Sequence, residues 1–245
     1  MHVLCEDESV IGRAFYVMEF VQGRVLWDQS LPGMSPAERG AIYDEMNRVM
    51  AALHKVPFAE RGLANYGKPG NYIERQIGRW SKQYVASITQ PIEEMDRLME
   101  WLPVHIPEQA RDHTRVSIVH GDFRLDNVIF HPTEPKVLAV LDWELSTLGH
   151  PLADFSYHCM SWHISPGTFR GIGGLDLKEL GIPSEIEYIQ RYCERTQFCP
   201  VDTLVNDWNL YLADNRFRMA ASLQGRAKRI EEGTASSDQA KRSAA

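Results

Sequence analysis

Hydrophobic positions along the chain follow different periods in different stretches, and the changes of period divide it. Ala14 to Phe20 (AFYVMEF) is a short apolar, aromatic-rich run closed by Gly23, which reads as a buried strand followed by a turn. Few residues precede it, so it is expected to lack a sequence-local partner. Ser35-Pro36-Ala37-Glu38 then sets a capping hydroxyl, a proline at the first helical position and a glutamate at the third. Ile42, Met46, Val49, Met50 and Leu53 follow at helical spacing, so the helix they define buries one face. Ile73, Ile77, Trp80 and Tyr84 mark a second amphipathic helix. A third begins at Pro91 and runs through Met95, Leu98, Met99 and Leu102.

The texture changes at Arg115. Val116–Val119 and Val128–Phe130 are β-branched runs, the second closed by the turn-forming HPTEP, and Val137–Leu141 is a third. These strands and their polar loops predict a small β island from Val116 to Asp142 inside a helical domain. Helix returns at Pro151 with Leu152, Phe155 and Cys159. A second capping box, Ser184 to Glu187, starts another helix. The stretch from about Asp202 to Arg229 is long enough to predict a break inside it. Residues 231–245, rich in Ser and Ala, read as a frayed tail.

Composition narrows the class. The 245 residues, 44% apolar and 24% charged, are globular in proportion, and the net charge is −7. With no basic stretch to offset that charge, nucleic acid is an unexpected partner. No apolar run approaches the 18 or more residues that span a bilayer, and the N-terminus lacks a secretory pattern. A soluble cytoplasmic protein without a membrane partner is expected. Cys5, Cys159, Cys193 and Cys199 form no C-x-x-C pair and are read as reduced thiols.

The chemistry concentrates in His120-Gly121-Asp122, Asn127 and Asp142. Asp122 and Asp142 stand at strand ends and Asn127 where the next strand begins, so three oxygen donors can converge on a hard cation. Mg²⁺ is favoured over zinc because no Cys or His cluster accompanies them. In phosphoryl transfer one aspartate orients the attacking hydroxyl, while an Asn and a second Asp hold Mg²⁺ against the nucleotide phosphates. Aspartate is a feeble base at neutral pH, so positioning and charge neutralisation are expected to supply most of the acceleration. His120 is read as packing the loop, and Arg124 with Asp126 as substrate contacts or a local ion pair. His150, His158 and His163 match no metal spacing, and Trp162 and His163 read equally as pocket lining or helix-end packing. Arg226, Lys228 and Arg229 read as a solvated charge group at a helix C-terminus.

HGDFRLDNVIFHP (His120 to Pro132) and VLDWELSTLGHPLADFSY (Val140 to Tyr157) resemble the catalytic and metal-binding segments of aminoglycoside phosphotransferase-like kinases, especially those associated with acyl-CoA dehydrogenases. The resemblance implies an α+β, protein-kinase-like fold with a mainly helical C-lobe and the N-lobe largely missing. Residues 1–22 would be the N-lobe remnant and hinge strand, 23–230 the C-lobe and 231–245 the tail. It makes Asp122 the catalytic base and Asn127 and Asp142 the Mg²⁺ ligands. VMEFVQG (Val17 to Gly23) resembles an adenine-binding hinge, with the Glu19 carbonyl and Val21 N–H as the binding groups. Asp154 matches an aspartate that steadies the catalytic loop.

The implied function is ATP-dependent phosphoryl transfer to a hydroxyl of a small metabolite, leaning toward a hydroxy acid or hydroxyacyl thioester. Such kinases also carry an N-lobe lysine and a Gly-rich loop, whereas the first lysine here is Lys55. A truncated kinase with poor turnover is therefore expected. A catalytically impaired binding or regulatory domain, or a metal-dependent phosphohydrolase, would use the same residues.

Overall fold

The computed structural model describes residues 1–111, 114–167, 170–198 and 200–233. Two short strands, β1 (Val3–Cys5) and β2 (Phe15–Val17), open the chain as an antiparallel pair with Leu4 opposite Tyr16. The expected lone buried strand is thus corrected twice. It has a partner, and it is largely exposed, Tyr16 at 60% and Phe20 beyond it at 89%. The residues before it form the other half of a hairpin, which a search for a second long apolar run overlooks.

From β2 the chain runs without regular structure to Arg24, which bridges Phe130: Arg24 N donates to Phe130 O (2.8 Å) and Phe130 N to Arg24 O (2.9 Å). Gly23 is required there, since a Cβ would lie 2.3 Å from the Phe130 carbonyl oxygen.

Helix α1 (Pro36–His54) starts at the expected capping box, with Glu38 N donating to Ser35 Oγ and Ser35 N to Glu38 Oε2 (2.7 Å). It buries Ile42, Met46 and Met50. Helices α2 (Tyr72–Ser87) and α3 (Glu93–Val104) follow the expected spacing.

The β island is two separate antiparallel ladders. β3 (Ser117–Val119) pairs with β6 (Thr147–Gly149), and β4 (Val128–Phe130) pairs with β5 (Val137–Val140). β6 lacks a sequence signal because Thr-Leu-Gly is too short to show alternation. The two ladders matter because the loops between their strands carry His120 to Asn127 and Asp142.

Four more α-helices follow among the described residues: α4 (Pro151–Cys159), α5 (Leu177–Leu180), α6 (Glu185–Thr196) and α7 (Val201–Glu231). The break expected within α7 is absent. Its buried face, including Leu204, Tyr211, Asn215, Phe217 and Ala221, packs continuously on α2 and α4, which removes any need to end the helix. Phe155 of α4 stacks on Tyr192 of α6 at 3.8 Å, and Tyr188, Trp162 and Tyr43 extend this aromatic core. Cys159 and Cys193 are buried and Cys5 is half-buried; Cys199 and residues 234–245 of the expected tail lie outside the described residues.

Candidate active site

The loop after β3 is built on a glycine and a buried carboxylate. Gly121 has φ +82°, and a Cβ there would lie 2.8 Å from the Leu145 carbonyl oxygen, so only glycine lets the chain turn this tightly. Asp154, in the first turn of α4, accepts from His120 N (2.7 Å) and Gly121 N (2.8 Å). His54 Nε2 donates to Asp154 Oδ2 (3.2 Å), and Nδ1 of the same ring pairs with the Tyr192 hydroxyl (2.6 Å). Burial pushes the Asp154 carboxyl up, but His54 and the two backbone donors outweigh it and hold the group below the usual carboxylate range.

His120 is a structural part of this loop. Asp122 N donates to its Nδ1 (3.2 Å), which fixes the proton on Nε2, and Nε2 donates to Leu141 O (2.8 Å). The ring thereby ties the loop after β3 to the end of β5. Trp143 packs against the same ring at 4.9 Å.

Asp122 and Asn127 meet directly. Asn127 Nδ2 donates to Asp122 O (2.9 Å) and Oδ2 (3.2 Å), and Asn127 O accepts from Leu141 N (2.8 Å). Asp142 follows at once, exposed and in a left-handed conformation (φ 64°, ψ 56°). With its Nδ2 committed, Asn127 has Oδ1 to offer, and Asp142 adds an anionic oxygen. Among the described residues no group of three or more His, Cys, Asp or Glu side chains could hold a metal. Two protein oxygens suit Mg²⁺, which keeps several waters and shares its coordination with substrate phosphates.

Val21 and Glu19 lie on the irregular segment that leads to the Arg24–Phe130 bridge. Neither the Glu19 carbonyl nor the Val21 N–H takes part in a backbone hydrogen bond among the described residues.

The sequence pattern of the phosphotransferase enzyme family (APH) matches residues 1–179. The chain belongs to this family. Acyl-CoA dehydrogenase family member 10 of Mus musculus is 48% identical over 243 residues, covering 98% of this chain and 22% of that protein. The chain spans less than a third of the length of the curated relatives it matches. A Ralstonia eutropha protein provisionally assigned as an aminoglycoside phosphotransferase has a crystal structure that superposes with a TM-score of 0.91 at 65% identity, covering 99% of this chain and 72% of that one. Ethanolamine kinase of Plasmodium vivax shares the fold, with a TM-score of 0.60 at 10% identity, covering 89% of this chain and 63% of that one.

In this APH-family chain a cleft of about 120 Å³ opens beside Asp122, lined among others by Trp80, Arg124, Tyr157, Arg218, Met219 and Arg226. Sequence reasoning missed Tyr157 and Arg218. The Tyr157 hydroxyl donates to Asp122 Oδ1, and Arg218 donates to the Gly121 carbonyl from one face of α7. A tyrosine three residues after Asp154 on a helix starting at Pro151 was the available signal for the first. Arg218 gave none, because its partner is 97 residues away.

Arg226, expected in a solvated charge group, also borders this cleft. Arg124 bridges Asp122 (3.1 Å) and Asp126 (3.5 Å), so the local ion pair forms. Asp126 is also reached by Arg170 (2.9 Å). His158 is buried against the Tyr188 hydroxyl, its ionisation pushed down to about 4 by burial, and His163 pairs with Glu185. Trp162 is core, donating to Pro183 O (3.0 Å).

Proposed function

We propose that this chain is the catalytic part of an ATP-dependent O-phosphotransferase that acts on a small hydroxylated metabolite. The observation that carries the reading is the contact of Asp122 with Asn127 and the hydrogen bond that Leu141 N donates to Asn127 O, which bring the three oxygen-bearing segments together. Asp122 orients the acceptor hydroxyl. Asn127 and Asp142 would hold Mg²⁺, which supplies charge neutralisation on the transferring phosphoryl group. The Glu19 carbonyl and Val21 N–H would bind the adenine edge.

Arg124, Arg218 and Arg226 line the cleft at Asp122, which favours an acceptor carrying negative charge over a polycation. A hydroxy acid or hydroxyacyl thioester meets that condition, and relatives named acyl-CoA dehydrogenases support the thioester.

Calorimetric Mg·ATP affinity beside single-turnover phosphoryl transfer tests the assignment. Asp122→Asn is expected to lower transfer by about 100-fold or more while sparing Mg·ATP affinity. Asp142→Asn is expected to weaken Mg·ATP binding as well, because an anionic ligand is lost. The reverse pattern would exchange the two roles. Transfer to an aminoglycoside in preference to a hydroxy acid or its thioester would overturn the acceptor class.

A further inference from the structure

We infer that Tyr157, held in place by Arg218, is a positioning residue that turns a single open lone pair of Asp122 toward the acceptor cleft. The inference rests on the reading of Asp122 as the group that meets the acceptor hydroxyl.

A carboxylate offers about four lone-pair sites. On Asp122, Oδ2 accepts from Asn127 Nδ2 (3.2 Å) and is ion-paired with the Arg124 guanidinium (3.1 Å), so this oxygen is already occupied. At Oδ1 one site is taken by the Tyr157 hydroxyl. What stays open is the second site on Oδ1, the oxygen that Tyr157 itself holds, and Tyr157 lines the cleft beside it. An incoming hydroxyl therefore docks next to the phenol, and the direction of its O–H is set by a carboxylate with its other positions filled.

Tyr157 is fixed from both sides. Three residues earlier on the same helix, Asp154 binds His120 N and Gly121 N, so one face of α4 grips the backbone of the loop and the side chain of Asp122 together. On the cleft side the Arg218 guanidinium lies 4.9 Å from the Tyr157 ring centroid and 5.8 Å from that of Trp80, while donating to the Gly121 carbonyl. Arg218 thus joins the phenol to the turn that carries Asp122. Burial, and then the Asp122 charge, push the phenol ionisation up, so Tyr157 stays a donor and does not carry the acceptor's proton.

The test uses the full chain and Tyr157→Phe, which keeps the ring and its cation–π contact. Single-turnover transfer is measured over ranges of acceptor and Mg·ATP concentration, with melting temperatures alongside. The maximal rate constant is expected to fall about 10- to 100-fold, the effect of losing a hydrogen bond to a charged group. Half-saturating concentrations of both substrates are expected to stay within about twofold.

An unchanged rate constant overturns the inference. So does a defect confined to half-saturation or accounted for by lost folded protein. A second measurement needs no turnover: the hydroxyl proton between Tyr157 and Asp122 should appear far downfield in the proton NMR spectrum, vanish in Tyr157→Phe and move upfield in Asp122→Asn. Its absence from the wild-type chain overturns the inference. Its presence in a chain that neither binds Mg·ATP nor transfers to any acceptor overturns the functional reading instead and leaves the held pair standing.

Discussion

Two carboxyl groups, Asp154 of α4 and Asp214 of α7, are buried to almost the same extent, at 3% and 4% exposure, and their ionisation is shifted in opposite directions. Asp154 accepts from two backbone N–H groups and from His54, and its carboxyl lies below the ordinary range. Asp214, one turn before Arg218 on α7, has no hydrogen bond at Oδ1, and burial pushes it up to about 7 although the Arg218 charge pulls the other way. Equal burial therefore decides nothing by itself. The number of donors aimed at the carboxylate decides whether the buried charge is favoured. On the α4 side the loop is anchored by a satisfied ion. On the α7 side it is held by the Arg218 guanidinium, and Asp214, one turn earlier on the same helix, carries a carboxyl pushed up to about 7.

Removing the better-served carboxylate should have the largest effect. Asp154→Ala leaves His120 N, Gly121 N and His54 Nε2 buried without their acceptor, and breaking a buried pair in this way costs about 3 to 5 kcal/mol. Urea denaturation should show the midpoint falling without a change in slope. A loss below about 1 kcal/mol would mean that water can replace the carboxylate, and the contrast between the two sides would shrink.

The next effect down is at the turn that both sides hold. Gly121→Ala combines a positive φ with a 2.8 Å approach to Leu145 O and is expected to cost about 1 to 3 kcal/mol. Gly62→Ala is the control. It has a similar φ of +76° with nothing within 4 Å of the added Cβ, so it should show the conformational part alone, about 1 kcal/mol. Equal losses at the two glycines would show that the loop yields to Leu145 at no cost.

This contrast also marks how far the sequence could be read. Local signals carried through: the capping boxes at Ser35 and Ser184, the amphipathic spacing of α1 to α3, and the strand runs that end at His120 and Asp142. His120-Gly121-Asp122 and Asn127 stood out because short-range spacing places them. Tyr157, Arg218 and Asp214 did not, because what they do depends on α4 and α7 packing against the loop. No periodicity reports an acceptor 97 residues away. The exposed β1–β2 hairpin was misread for the same reason, since an apolar run signals a strand but does not say what covers it. The two-ladder arrangement turned on β6, three residues whose partner is set by tertiary contacts.

The smallest effect, taken per pH unit, is the titration of Asp214. Its folded value of about 7 lies above the ordinary aspartate value of about 3.9 expected for the unfolded chain, so between these limits the folded protein keeps a proton that the unfolded chain has lost. Stability from this group is therefore fully present below about pH 4 and declines as pH rises toward about 7, by at most about 1.4 kcal/mol per unit. Asp154 has the opposite sign. Its contribution is present above the ordinary carboxylate range and disappears as pH falls below it. Together the two groups place their joint optimum on the acid side of neutrality. Asp214→Asn removes the ionisable group while keeping the shape, so denaturant midpoints measured from about pH 5 to about pH 8 at constant ionic strength should flatten in the variant and slope downward in the wild type. The acid limb below about pH 4, which belongs to Asp154, lies outside this window and should stay in both when the series is carried lower. Parallel curves would mean that Asp214 finds a donor in solution, and the two carboxyl groups would then differ in location but not in how they are served.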